Sequence, residues 1–323
     1  MKSSLPTDRM KRIINNYGVY IALLVIAAVA SAIYENFLTY TNITNVLKQN
    51  CAKSIVAIGA TLVILTGGRD LSVGSSVALS GILTAYFSDS GLLAMIVIPL
   101  SVGILIGVIN GFCVAKLKIA SYIVTLAMMM AVRGCVYIIS DEHTISFAER
   151  GKELSQFVNG NVFGMIPVQV VIMVVAFLAV GWVLRQTNFG RSIYAVGGSE
   201  DAANYMGLKT VRTKFFVYII SGFCAALAGI LLSARLSSGQ PYVATTWQMD
   251  AIAAVAIGGA SVSGGYGRIS GTFAGVLVLG LISNIINLQG TLSSWWQNII
   301  NGAILLIVII IQTQLSRRGS GDK

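Results

Sequence analysis

Acid–base or metal chemistry needs grouped His, Asp, Glu or Cys side chains, and this 323-residue chain offers a single histidine, His143, beside Asp141 and Glu142. One imidazole is a poor metal site. The cysteines Cys51, Cys113, Cys135 and Cys224 lie in or beside apolar runs without metal or redox spacing, and read as small packing residues. A GxxxxGK[ST] phosphate loop is absent, so the chain lacks this means of hydrolysing ATP. Any ATP work would have to come from a partner. The chain itself is expected to have no cofactor, metal or catalytic set. What remains is a polar island, Gly190 to Arg212, and a few polar or charged residues inside apolar sequence, among them Asp70, Arg133 and Asp250.

The elements that position these residues follow from composition. The chain is 55% hydrophobic and 11% charged, with a mean hydropathy of +0.80, far from the roughly 25% charged residues of a soluble domain. It reads as an all-α polytopic membrane protein forming one domain over 1–323. The apolar segments are Tyr17 to Tyr34, Cys51 to Leu65, Val73 to Tyr86, Leu92 to Ala115, Tyr122 to Ile139, Met165 to Leu184, Phe215 to Leu232, Met249 to Gly259, Thr272 to Ile286 and Ile299 to Ile311. That is about ten spans where roughly 20 residues cross a bilayer. The third and eighth are short and rich in Ser, Gly and Ala, so they are expected to be packed inside the bundle. Without them the count is eight. The first segment leads into no small-residue cleavage site and is read as a retained helix.

Basic residues orient the chain, because inner loops carry the Lys/Arg excess. With the N-terminus inside, the inner side holds Lys2, Arg9, Lys11, Arg12, Arg69, Lys116, Lys118, Arg185, Arg191, Lys209, Arg212, Lys214, Arg268, Arg317, Arg318 and Lys323. Both termini are then cytoplasmic and the island is the third inner loop. The net charge of +10 is scattered loop by loop, which suits membrane orientation and not nucleic-acid binding.

Within the island, Ser199 is placed to cap a helix, Glu200 and Asp201 fall in its positive first turn, and Gly207 stops it after about two turns. Ala202, Ala203, Tyr205 and Met206 give it a small apolar surface, too short to anchor in lipid and suited to a groove on another protein. An ordinary loop helix is the plainer alternative.

The sequence GRSIYAVGGSEDAANYMGLKTVR resembles the coupling segment of ribose-type sugar permeases of ATP-binding-cassette (ABC) importers, whose pattern is near GRxIYAVGGNExAAxxxGI. Gly67 to Ser75, GGRDLSVGS, and Met249 to Gly275, MDAIAAVAIGGASVSGGYGRISGTFAG, resemble two further motifs of that family, in the same order. The resemblance covers Tyr17 to Ile311. It implies a type II ABC importer-like bundle, pairing with a second permease copy or paralogue, an ABC ATPase subunit docked inside, and a periplasmic sugar-binding protein delivering a monosaccharide. It also implies that Ser199, Glu200, Asp201, Ala202, Ala203 and Gly207 form the ATPase-coupling helix of a bacterial inner-membrane protein. Ala203→Arg is then expected to abolish sugar-stimulated ATP hydrolysis without unfolding the membrane domain. Two departures stand out: Ser199 replaces the usual Asn, and Arg69 replaces an apolar residue and could contact Asp70.

Other residues keep two readings. Asp70 and Ser72 are candidates for gating, or for capping the third span. Asn110, Asp250, Asn284, Asn287 and Gln297, with Thr125, could line a translocation path or act as interhelical glue. Arg133 must pair, snorkel or face water. Gly271 and Gly275 suit close helix packing, although the glycines of that motif could also let a helix break near a substrate. Trp295 and Trp296 read as interface anchors. An ion-gradient-driven secondary sugar transporter using Asp70, Arg133 and Asp250 is the alternative function. Branched-chain amino acid importers share the architecture, but the GGRDLSVGS and island segments favour the sugar branch.

Overall fold

The structure is a computed structural model and describes residues 6–290, 293 and 295–320. Each of the ten apolar segments falls on a helix: α1 (Pro6–Ile33), α2 (Tyr40–Leu65), α3 (Val73–Tyr86), α4 (Leu92–Gly111), α5 (Ser121–Ser140), α7 (Val168–Gln186), α10 (Thr210–Leu236), α11 (Trp247–Ile257), α12 (Ile269–Gln289) and α13 (Trp295–Ser320). A short amphipathic helix, α6 (Lys152–Asn159), a long-range antiparallel pairing of β1 (Ile145–Ser146) with β4 (Ser238–Gly239), and a small hairpin of β2 (Asn161–Val162) with β3 (Ile166–Pro167), lie between spans. On the opposite side α8 (Asn188–Gly198) and α9 (Glu200–Tyr205) connect α7 to α10.

Among the described residues, five helices are long and apolar enough to cross a membrane, with shorter apolar helical stretches at Tyr17–Ile33, Val73–Tyr86, Trp247–Ile257 and Trp295–Val308. α2 starts eleven residues before the apolar run that signals it, since Thr39 caps it by accepting from the Asn42 N–H at 3.3 Å. Its first turns carry Asn42, Asn45, Lys48 and Asn50, which hide the helix from a hydropathy reading.

Burial sorts the helices. Only 28% of the most apolar window of α4, α5 or α7 is buried, against 67% for α10, so α10 is central and the other three present apolar faces outward. Leu93, Ile138 and Leu178 are among the outward side chains. The short α3 is buried from Val73 to Ala85 and α11 from Ala253 to Ala256, as their small-residue composition requires. α10 packs against α2, α3 and α4. Its approach to α4 is set by Gly103, Gly107 and Gly111, one turn apart. A Cβ on Gly107 would sit 2.5 Å from the Tyr218 carbonyl oxygen. α4 then ends in a π-helical turn, Phe112–Lys116, beside Phe215.

Two of the residues read from sequence as path or glue, Asn284 and Asp250, make contacts between helices. Asn42 and Asn284 exchange amide hydrogen bonds of 3.1 and 2.8 Å between α2 and α12. Asp250, in the first turn of α11, pairs with Lys53 of α2 at 3.5 Å and accepts from Asn301 of α13 at 3.2 Å. Arg133 satisfies its cost by donating to the carbonyls of Pro241 and Val243 at 2.9 and 3.1 Å, which fastens α5 to the loop before α11.

Gly107→Val should lower the unfolding temperature of the purified membrane domain. The overpacking cost is about 1–3 kcal/mol, and an unchanged melting curve by fluorescence-detected gel filtration would refute this account of the α4–α10 contact.

Candidate coupling site and gate

α8 begins because the Thr187 hydroxyl caps it, accepting from the Gly190 N–H at 3.1 Å. Phe189, Ile193 and Val196 recur at helical spacing; Ile193 is buried among Leu62, Val63, Leu65, Leu184 and Val217 with Phe189 packed against them, and Val196 is buried as well. This spacing is the signal that sequence reading passed over when it gave the island a single short helix.

α9 does start at Ser199, whose Oγ accepts from the Ala202 N–H at 3.2 Å. It stops in a Schellman arrangement, with Gly207 at φ +79° donating to the Asn204 carbonyl at 2.9 Å and Leu208 donating to the Ala203 carbonyl at 3.0 Å. Glu200 is not free: it is ion-paired with Lys214 in the first turns of α10. Tyr205 is 90% exposed and Met206 71%, whereas Ala203 is fully buried. The apolar surface expected on this helix is therefore corrected. Ala203 faces the bundle, Ala202, Tyr205 and Met206 face out, and Ala203→Arg cannot separate coupling from folding because a guanidinium has no room there.

The three sequence motifs meet at one point. The Gly265 N–H donates to the Leu65 carbonyl at 3.0 Å, closing the 258–268 turn onto the end of α2. A Cβ on Gly264 would lie 2.8 Å from the Gly67 nitrogen and 3.0 Å from the Gly197 carbonyl oxygen. One on Gly197 would collide with the Leu65 oxygen and the Gly265 nitrogen. The Tyr194 hydroxyl donates to the Gly267 carbonyl at 3.0 Å, a second tie between α8 and the turn. The packing role of the third motif continues into α11 and α12, where Gly258 abuts Gly271 and Gly275 abuts the Ala254 carbonyl.

Immediately beyond this junction the segment between α2 and α3 carries Asp70, which is buried. Its Oδ1 accepts from the Ser72 N–H at 3.0 Å and the Ser72 hydroxyl at 2.6 Å, and its Oδ2 accepts from Ser221 of α10 at 2.8 Å. Asn110 of α4 donates to Ser72 Oγ at 2.9 Å, and its own buried Oδ1 has no partner. Asp70 thus does order the start of α3, and it also joins α3, α4 and α10. Arg69 is exposed and forms none of the ion pairs among the described residues, so the Arg69–Asp70 contact entertained from sequence is replaced by these neutral donors. The Arg69 backbone instead binds α5, accepting from Thr125 at 3.3 Å while its N–H donates to Ser121 Oγ at 3.1 Å. Sequence reading missed Ser121, Ser221 and Tyr218, because nothing local marks an interhelical partner in an apolar run.

A cavity of about 500 Å³ opens between this segment and α9, lined by Gly67, Gly68, Lys118, Ser121, Tyr122, Glu200, Asp201, Asn204, Lys214 and Tyr218. Tyr218 belongs to both sites, since its hydroxyl donates to the Arg69 carbonyl at 3.4 Å. Of the other candidates, Asn287 is exposed on α12 and Gln297 half-buried on α13, and neither reaches this cluster.

A family model described as branched-chain amino acid transport system / permease component matches residues 42–309. The chain belongs to this permease family. Among curated relatives, the permease is 40% identical to the ribose import permease protein RbsC of Escherichia coli over 91% of this chain and 92% of that one. It is 39% identical to RbsC of Bacillus subtilis over 98% and 100%, and 36% identical to the L-arabinose transport system permease protein AraH of E. coli over 93% and 90%. These matches agree with the ribose-type resemblance of the motifs. A metal-chelate type ABC transporter solved in an inward-facing conformation shares the fold, with a TM-score of 0.53 at 10% identity over 91% of this permease and 98% of that chain.

Ser221→Ala should destabilise the permease by about 1–3 kcal/mol, the cost of leaving a buried acceptor unpaired, and pairing it with Asp70→Asn should give less than the sum of the two single losses. Additive losses in thermal unfolding would show that the two groups do not interact.

Proposed function

We propose that this chain is the membrane-spanning permease subunit of an ABC importer that moves a monosaccharide, a ribose-like pentose or a hexose, across a bacterial cytoplasmic membrane. It has about ten spans, both termini cytoplasmic, in a type II importer-like bundle. Two permeases, identical or paralogous, form the pathway, a periplasmic binding protein delivers the sugar, and a partner ATPase holds ATP and Mg.

The observation that carries this reading is the meeting of the coupling segment with both other motifs. α9 exposes Tyr205 and Met206 to a partner, and α8 behind it is wedged against the end of α2 and the 258–268 turn. A push on α9 has a direct backbone route to the loop that holds Asp70. In this reading Ser199 and Gly207 fix the length of the coupling helix, and Glu200 ties it to α10 through Lys214. Asp70, Ser72 and Asn110, with Ser221, are the latch that keeps α3, α4 and α10 together until that push arrives, and the adjoining polar cavity is the inner mouth of the path. Asp250, Asn284, Asn287 and Gln297 are assigned to holding the bundle and its surface, not to the path.

The ion-driven alternative fits less well. Its three charges are separately engaged: Asp70 by serines, Arg133 by carbonyls and Asp250 by Lys53. None is left in line with another for an ion to bridge.

In proteoliposomes containing the assembled transporter, a Tyr205→Ala/Met206→Glu variant should lose binding-protein-stimulated ATP hydrolysis by about tenfold or more, as expected for an exposed aromatic anchor, with its melting temperature unchanged. Full stimulation in this variant would refute the coupling assignment, and sugar uptake without ATP or binding protein would replace the importer by the ion-driven carrier.

A further inference from the structure

A second cavity, separate from the gate, is a groove of about 510 Å³ between α7 and α12. Its wall is apolar along Val174, Phe177, Leu178 and Phe273, and it ends between Arg185 in the last turn of α7 and Arg268 at the start of α12. No acidic residue lines it, and neither arginine takes part in an ion pair among the described residues. Burial pushes the nearby Tyr194 hydroxyl above the ordinary tyrosine range while Arg185 and Arg268 both act to lower it, so both guanidiniums bear on the same end of the groove. Trp182, 63% exposed, stands at that end as an amphipathic side chain does at a membrane interface.

An apolar groove with two guanidiniums at one end, neither in an ion pair among the described residues, complements an acyl chain joined to a phosphodiester. We propose that this groove is a binding site for one anionic phospholipid, its phosphate between Arg185 and Arg268 and one acyl chain along Val174, Leu178 and Phe273. Placing the lipid in the inner leaflet rests on the orientation proposed above; the binding itself does not. Because α8 packs on α7 and Tyr194 bonds the turn before α12, the lipid would brace the helices behind the coupling segment.

The test is to purify the assembled transporter from membranes containing phosphatidylethanolamine, phosphatidylglycerol and cardiolipin, and to quantify retained lipid by mass spectrometry. Wild type and R185K/R268K should retain phosphatidylglycerol or cardiolipin over phosphatidylethanolamine, and R185Q/R268Q should retain about tenfold less anionic lipid, from the loss of two charges near the phosphate. Equal retention by the Gln pair would overturn the proposal. So would an intermolecular disulfide through Trp182→Cys formed in the membrane, which would put a second permease in the groove. Failure of lipid retention with intact binding-protein-stimulated ATPase would leave the importer reading standing, and the reverse result would separate the two in the other direction.

Discussion

The hydrogen bond from the Gly265 N–H to the Leu65 carbonyl is the contact on which the functional half of the molecule depends. A helix end leaves orphan carbonyls, and one covered by packing, as at the buried Leu65, must find a donor. Here the donor comes from a distant turn. Satisfying it brings two chain segments to backbone contact, and only residues without a Cβ tolerate that approach at Gly264 and Gly197. The motif glycines are therefore a joint: they let α2, α8 and the 258–268 turn share one small volume.

A joint of bare backbone is stiff. It has no side chains whose rotamers can absorb a displacement, so motion applied to α8 must move its neighbours. In the proposed coupling role α9 would receive such motion: it is capped at both ends by its own sequence, tied to α10 by Glu200 and Lys214, and exposes an aromatic and a thioether side chain. On the far side of the joint lies a buried carboxylate satisfied wholly by neutral donors. Those bonds are strong enough to keep Asp70 in place and, lacking a buried cation, leave no second charge stranded when the helices separate.

Other polar groups link distant elements. The Asn42–Asn284 pair, the Lys53–Asp250–Asn301 cluster and the Arg133 contacts each join elements far apart in sequence. Between helices in lipid, where burying apolar area gives little net driving force, such bonds and the close glycine contacts of α4 with α10 decide which helices are neighbours.

The sequence by itself determined the ten apolar helices and their class, because long apolar runs are local properties, but not α8 or the polar first turns of α2. It also determined the α9 cap and stop, since Ser199 and Gly207 act on backbone groups within a few residues, and the family, because three motifs occur in order. Tertiary structure alone decided which face of α9 is presented, burying Ala203 that sequence had placed outside. It also chose the partners of each buried polar group: Ser221 for Asp70, Asn42 for Asn284, Lys53 for Asp250. These are choices among helices that a linear sequence does not order in space. A polar residue in an apolar run states only that a partner is needed; where the helices cross settles which one it gets.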